Sequence, residues 1–406
     1  LLSRRQRQMC IRDRANMKRV FKYLDKPLLI ISIILFVVGL IMVFSSSNVT
    51  AYMTHAASPY NYFIKQGAFL LVGLIFSLIM IKFNTKLYGI LSWTLFLGVG
   101  VSLFALLFIG KTKNQAISWY DLGLFSLQPS EFIKVISIIW MAEYYEKNKD
   151  NLSSYWVSLF PLFTCGIIAI LIFVQPDLGT TIIYLVIVFA IFLAEPVPKS
   201  IKTKLIFGGV GAIVLATFAL LSSGKQLILE RQLERLNFTR PCDRLLDTGN
   251  QVCNGYIAIN NGGLTGKGLG NSTQKYLYLP EPYTDFIFTI TVEELGSAIG
   301  VLIIILYMVV LYRILAIGRK SYTNRGSTIC YGVAVYIFCH IAVNLMGIFG
   351  LIPMTGVPLP FMSYGGSFTI CLIAALTAVQ RVSVETGIRD QVKTENRLKN
   401  PKKKHA

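Results

Sequence analysis

The sequence predicts an all-α polytopic membrane protein of about ten transmembrane helices, with one long extracellular loop between the seventh and the eighth. Three observations predict it. Hydrophobic residues make up 54% of the chain and charged residues only 15%. The charges cluster between long apolar runs. Ten of those runs approach the roughly 20 residues that span a hydrocarbon core. They lie at 28–47, 67–82, 87–109, 131–145, 156–174, 178–194, 205–222, 286–316, 328–349 and 366–381. Two are short and need flanking residues or tilt. Helices are expected throughout, because backbone groups in lipid must bond within the segment.

At the start, "RRQRQMCIRDR" (Arg4 to Arg14) reads codon for codon as a transposon-based sequencing adapter. Residues 1–16 are therefore expected to be foreign, with Met17 as the natural start. The alternative is a basic N-terminal arm. No cleavable signal peptide is expected, since the first apolar run is too long for one.

Positive charge sets the orientation. With the N-terminus inside, the cytoplasmic pieces hold Lys18, Arg19, Lys22, Lys26, Lys82, Lys86, Lys147, Lys149, Lys199, Lys202, Lys204, Arg313, Arg319, Lys320 and Arg325. The short outer loops hold only Lys65, Lys111 and Lys113. Both termini are expected in the cytoplasm. The net charge of +19 then reads as topology plus attraction to anionic lipid. Nucleic-acid binding is not expected, because no basic soluble domain carries interleaved aromatics. Residues 383–406 form a basic tail, expected to be disordered and able to meet lipid or a cytoplasmic partner.

Cys165, Cys330, Cys339 and Cys371 fall in apolar segments, where a thiol acts as a small hydrophobe. Cys242 and Cys253 share the long outer loop, where a disulfide and two free thiols are both open. No Cys/His cluster has metal-ligand spacing.

The long loop, 223–285, opens with "GKQLILERQLERLNF", whose Leu227, Ile228, Leu233 and Leu236 suit an amphipathic interfacial helix. Glycines 262, 263, 266, 268 and 270 follow. They would allow close backbone approach, to a phosphate or within a flexible turn. Four more polar stretches lie at outer helix ends: "ISWYDLGLFSLQPSEFIK", "VQPDLGTT", "VEELG" and "GLIPMTGVPLPFMSYGGSF". They bring Glu131, Lys134, Asp177, Asp285, Glu293 and Glu294 to similar depth, where ionisable groups face a bundle interior or each other. Glu131 and Lys134 can pair at i,i+3. Asp177 suits an N-cap. Glu293 and Glu294 suit the first turns of a helix. Structural pairing is weighed ahead of catalysis for these five. Asp285 differs. It precedes "FIF" with no Lys or Arg within four residues. A cap is open to it, but a carboxylate beside an apolar wall can have a raised pKa, which suits a general base.

In these motifs the chain resembles the SEDS family, the FtsW, RodA and SpoVE proteins that build bacterial cell wall. The resemblance covers residues 20–382 and rests on "QPSEFIK", "QPDLGTT", "NNGGLTGKGLGNSTQKYLYLPEPYTDFIF", "EELG" and "PMTGVPLPFMSYGGS", in family order. "GNSTQKYLYLPE" and the insert "RPCDRLLDTGNQVCNGY" look most like the FtsW branch of low-GC Gram-positive bacteria. The resemblance implies a peptidoglycan glycosyltransferase that polymerises lipid II, an undecaprenyl-diphosphate-linked disaccharide-pentapeptide, on the outer face of the plasma membrane at the division septum. It implies Asp285 as the catalytic acid. It implies Glu131, Lys134, Arg235, Lys275, Ser363 and Tyr364 as substrate-binding residues, and a divalent metal, Mg or Mn, with no organic cofactor. It also implies a class B penicillin-binding protein and other division-complex proteins as partners. One departure stands out: Ser118 precedes Trp119 where the family often has arginine, and Lys111 or Lys113 is the candidate substitute. A lipid II flippase and a division-site scaffold are the competing readings. The outer-face bias of the polar groups and the lack of a visible inverted repeat argue against the flippase.

Overall fold

The computed structural model describes residues 17–55, 58–109, 111–113, 116–121, 123, 126–208, 241–243, 249–276 and 278–399. In chain order the helices are α1 (Met17–Tyr23), α2 (Lys26–His55), α3 (Asn61–Met80), α4 (Thr85–Ile109), α5 (Pro129–Lys147), α6 (Tyr155–Val174), α7 (Leu178–Ala194), α8 (Gly249–Gly262), α9 (Ile287–Leu295), α10 (Ser297–Lys320), α11 (Asn324–Ile348) and α12 (Gly366–Lys399). Three short strands, β1 (Lys111–Lys113), β2 (Ala116–Asp121) and β3 (Ser126–Leu127), lie between α4 and α5.

Seven helices, α2, α3, α4, α6, α10, α11 and α12, are long and apolar enough to cross a membrane, and α7 is a shorter apolar helix. The chain is a multi-pass membrane protein. Side chains such as Ile75, Phe76, Val101, Phe108, Phe163 and Ile170 stand exposed on α3, α4 and α6. On a soluble protein that would be a liability; here lipid is the solvent. α5 is the opposite case. It carries Glu131, Lys134 and Glu143, all buried, and it packs against α4, α6, α7, α11 and α12. A helix with buried charges must take the centre of a membrane bundle, because lipid contact would strand them.

Nine of the ten expected segments correspond to described helices. The seventh, 205–222, falls outside the described residues beyond position 208, as do residues 1–16, the 227–236 stretch and Arg235. Four expectations need correction. First, 286–316 is two helices and not one. The chain breaks at Gly296, whose φ of +89° no L side chain holds easily. Secondly, the long loop, read as an interfacial helix and a glycine-rich stretch, also contains α8; of the two states left open for its cysteines the structure has the Cys242–Cys253 disulfide, with a Cα–Cα distance of 4.9 Å. Thirdly, Lys111–Lys113, Ala116–Asp121 and Ser126–Leu127 form a three-stranded antiparallel sheet in the order β1-β2-β3, with Lys111 opposite Trp119 and Tyr120 opposite Leu127. Tyr120 Oη ties it to α4 by donating to the Ser102 carbonyl at 2.7 Å. These strands are too short for alternation to register in the sequence.

Fourthly, the stretch after residue 382 is not disordered up to Lys399: α12 continues to that point. Its extension is held by side chains from other helices. Val384 is buried against Val20 and Ile81, and Ser383 donates to the Tyr23 carbonyl at 3.1 Å. Glu385 accepts from the Thr85 backbone N–H and hydroxyl, both at 2.7 Å. Basic composition alone concealed this packed face.

Candidate active site

The segment Thr355–Leu359, in the turn between α11 and α12, is the hub of the polar region. Its backbone is gripped on three sides. Asn344 on α11 donates its amide to the Val357 carbonyl at 2.9 Å, and the same nitrogen reaches the Asp285 carbonyl at 3.0 Å. His340, one turn earlier on α11, has Nδ1 3.3 Å from the Pro358 carbonyl. Ser363 Oγ accepts from the Leu359 N–H at 2.8 Å and donates to the Thr284 carbonyl at 2.6 Å. Tyr364 N–H donates to the Tyr283 carbonyl at 2.9 Å. Residues 283–285 are thus stitched to 344 and 357–364 by main-chain contacts. Rings of Tyr62, Tyr283 and Tyr364 pack beside the stitch, with centroids 4.4 to 5.9 Å apart.

Asp285 lies half-buried on this frame. It is not a helix cap: Phe286 takes the N-cap position of α9, which has no side-chain cap bond. No ion pair of Asp285 occurs among the described residues. Burial pushes its carboxyl up to about 7, the negative charge of Glu281 adds to the rise, and a Thr284 hydrogen bond opposes it. Gly356, at φ +68°, leaves the carboxylate room: a Cβ built there would lie 3.5 Å from Asp285 Oδ2. Glu281 and Phe361, at φ +51° and +68°, are non-glycine residues in the left-handed region close by in the chain. Such strain gathers where surrounding structure over-determines the backbone, often at functional sites.

The second centre is deeper. Lys134 and Glu131 form the expected i,i+3 pair at 2.8 Å, with side chains 1% and 3% exposed. Lys134 Nζ also lies 2.9 Å from His340 Nε2. An ammonium only donates, so Nε2 must be the acceptor and the imidazole is neutral, with its proton on Nδ1 toward Pro358. The Tyr336 ring lies 5.6 Å from the same ammonium and Phe368 stacks on His340 at 4.7 Å. Among the described residues, Glu131 Oε2, Tyr336 Oη, Ser130 Oγ and Asn344 Oδ1 are buried with no hydrogen-bond partner. Acceptors of this kind are where a water or a substrate hydroxyl would bind. Asp177 caps α7 as expected, accepting from the Thr180 N–H at 3.0 Å.

Lys275 is placed differently from a free substrate-binding cation. It is 1% exposed, and its ammonium meets Glu294 at 3.1 Å and the Gly270 carbonyl at 2.6 Å. Glu294 also accepts from Ser45 on α2. Glu293 accepts from Ser272, Thr273 and the Gln274 N–H and pairs with Lys267 at 3.4 Å. The two acids occupy the last turn of the short α9 and not the first turns of a long helix, so they oppose the helix dipole and need those donors. The glycine-rich stretch serves the same join. Lys267 and Gly268 N–H groups bond the Glu293 and Glu294 carbonyls at 3.0 and 2.9 Å. A Cβ at Gly266 would sit 2.3 Å from the Glu294 carbonyl oxygen. What Gly262 and Gly266 approach closely is the chain itself, whereas a Cβ at Gly263 or Gly270 would meet nothing within 4 Å. Ser118, where the family often has arginine, is 2% exposed.

Sequence reasoning missed His340, Asn344 and Gly356. Each sits in an apolar or turn-like context, and only the fold brings them against Lys134 and Asp285. Among the described residues no three His, Cys, Asp or Glu side chains group to hold an ion. They do not fit a metal cage by themselves.

The family model described as "Cell cycle protein", for FtsW, RodA and SpoVE, matches residues 26–387. The chain belongs to the FtsW/RodA/SpoVE family. A probable peptidoglycan glycosyltransferase FtsW of Bacillus subtilis is 33% identical over 91% of this chain and 92% of its own. The stage V sporulation protein E of the same organism is 34% identical over 88% and 96%. Among solved structures, a chain from a study of how a peptidoglycan synthase complex coordinates polymerization and crosslinking superimposes with a TM-score of 0.72, at 23% identity over 89% of this chain and 98% of that one. The rod shape determining protein RodA of Thermus thermophilus gives 0.62 at 22% identity over 89% and 97%. Those likenesses establish the fold that this family member shares.

Proposed function

We infer that the chain is a peptidoglycan glycosyltransferase that polymerises lipid II during cell division, with Asp285 as general base. The observation that carries the base assignment is an unpaired, half-buried carboxylate whose pKa is raised to about 7, on a segment stitched down through its own backbone. The names of the full-length relatives support the reaction class.

In this reading the acceptor's sugar hydroxyl loses its proton to Asp285 as it attacks the donor's anomeric carbon. The C–O bond to undecaprenyl diphosphate breaks, and the diphosphate carries away the negative charge. An α linkage becomes β in one displacement, so no carboxylate nucleophile is needed, unlike in retaining glycosidases. A pKa near the working pH lets the group be deprotonated beforehand and still basic enough to take the proton. Developing charge on the diphosphate calls for cations. Lys134 and Lys275 are each tied to a glutamate, so Arg235, ahead of the glycine-rich stretch, is the cation proposed for it. A divalent metal, Mg or Mn, bound mainly by the substrate's phosphates, is the further proposal.

The reading also assigns Asp285 and its hub to the outer face, both termini to the cytoplasm and the protein to the septum. The positive-charge bias supports the orientation. A class B penicillin-binding protein, which would crosslink the new glycan, is the proposed partner, along with other division-complex proteins.

The test is glycan polymerisation from purified lipid II by the chain with a cognate class B partner and divalent metal. Wild type should make long strands and Asp285→Asn none. No strands from a folded, partner-bound wild type would turn the reading toward a flippase or a scaffold. Transport of labelled lipid II across vesicles by Asp285→Asn would favour the flippase.

A further inference from the structure

The buried Glu131–Lys134 pair and the Asp285 carboxylate belong to separate elements, α5 and the turn before α9. What joins them is one face of α11. His340 and Asn344 are four residues apart, so they point the same way, one turn from each other. His340 holds Lys134 through Nε2 and the Pro358 carbonyl through Nδ1. Asn344 holds the Asp285 carbonyl and the neighbouring Val357 carbonyl with a single amide nitrogen. Each side chain thus bridges a chemically important group to the same short piece of backbone.

We propose that His340 and Asn344 act as a pair of positioning residues that fix the Lys134 ammonium and the Asp285 backbone relative to each other through Val357 and Pro358. The proposal rests on Asp285 being the base. Three features make this more than ordinary packing. Both residues are polar and almost fully buried, at 1% and 3% exposure, so each group left unmatched carries a desolvation cost. Both make their contacts to named functional groups and to main chain. And the imidazole is packed between two rings, Phe368 stacked on it at 4.7 Å and Tyr336 meeting it edgewise at 4.9 Å, so its direction is set before substrate arrives. A Lys134 ammonium held in one place would keep Glu131 Oε1 occupied and leave Oε2 as the open acceptor.

The imidazole's role can be copied by one side chain in particular. A glutamine amide reaches about as far as Nε2 and can accept from Lys134 with its oxygen; asparagine, one methylene shorter, reaches only the Nδ1 position on the Pro358 side. The experiment is lipid II polymerisation by the full chain with a cognate class B transpeptidase, comparing wild type, His340→Gln, His340→Asn, His340→Leu, Asn344→Ala and Asp285→Asn, with melting temperatures alongside. Misplacement by about 1 Å can cost about a hundredfold in rate. His340→Asn, His340→Leu and Asn344→Ala should therefore lose about tenfold to a hundredfold in kcat, with KM within about threefold, and His340→Gln should return to within about threefold of wild type. Should His340→Leu fail to fold, the Gln and Asn variants carry the comparison. Equal activity of Gln and Asn at position 340, or losses confined to melting temperature or KM, would overturn the proposal while an inert Asp285→Asn kept the base assignment. A fully active Asp285→Asn would remove both.

Discussion

Asp285 and the pair Glu293–Glu294 stand eight residues apart, and the fold treats them in opposite ways. Glu293 and Glu294 are fully buried and surrounded by hydroxyls, N–H groups and two lysines. Asp285 has no cation beside it among the described residues and is half open. Asn344 is spent on its backbone carbonyl, and the carboxylate keeps a Thr284 hydrogen bond and no cation. The contrast teaches how to tell an acid that holds a structure from one available for chemistry: count the donors that already satisfy its oxygens.

Four changes break or sharpen that contrast. Asp285→Asn should have the largest effect, lowering polymerisation by about 10²- to 10⁴-fold with the melting temperature unreduced; a variant retaining more than about a tenth of wild-type rate would rule out the base. Glu294→Gln should do the reverse. Removing one partner of a buried ion pair costs about 3–5 kcal/mol, so the defect should read as a lower melting temperature in detergent. The third change is pH. A base must be deprotonated to act, so if Asp285 is the base kcat should rise about tenfold per unit below pH of about 7 and level off above it. The folded-state pKa lies above its ordinary 3.8, so the native chain keeps a proton there that the unfolded chain has lost. Asp285 therefore lowers stability as pH rises across that window, and the melting temperature of Asp285→Asn should gain on wild type toward pH 8. Gly356→Ala should have the smallest effect, about 1 kcal/mol of stability for an L residue at φ +68°.

Much of this was legible beforehand, for physical reasons that also explain the gaps. Span-length apolar runs announced the membrane helices because lipid allows little else. The Glu131–Lys134 pair and the Asp177 cap were readable because they depend on neighbours three residues away. Asp285 stood out through its lack of nearby positive charge. The pairing of Lys275 with Glu294 went unread because the two are 19 residues apart in sequence and packed together only by the fold. The break at Gly296 went unseen because 286–316 was read as one run across Glu293 and Glu294, and the contacts that hold the break come from 263–268. His340 and Asn344 read as stray polar residues on an oily helix until the turn of 355–359 was laid against them. The helical continuation of α12 was hidden under charges that face away from Tyr23 and Val20.

The division of 286–316 into α9 and α10 bears on which part of this stretch can cross a membrane. At about 1.5 Å per residue, the nine residues of α9 reach about 14 Å, under half of a hydrocarbon core about 30 Å thick. α10, at 24 residues, is long enough by itself. The break depends on the glycine-rich segment 263–268, which bonds the carbonyls and N–H groups on either side of Gly296. Two lengths of one run thus take different duties, and the joint between them is completed by chain well upstream of it.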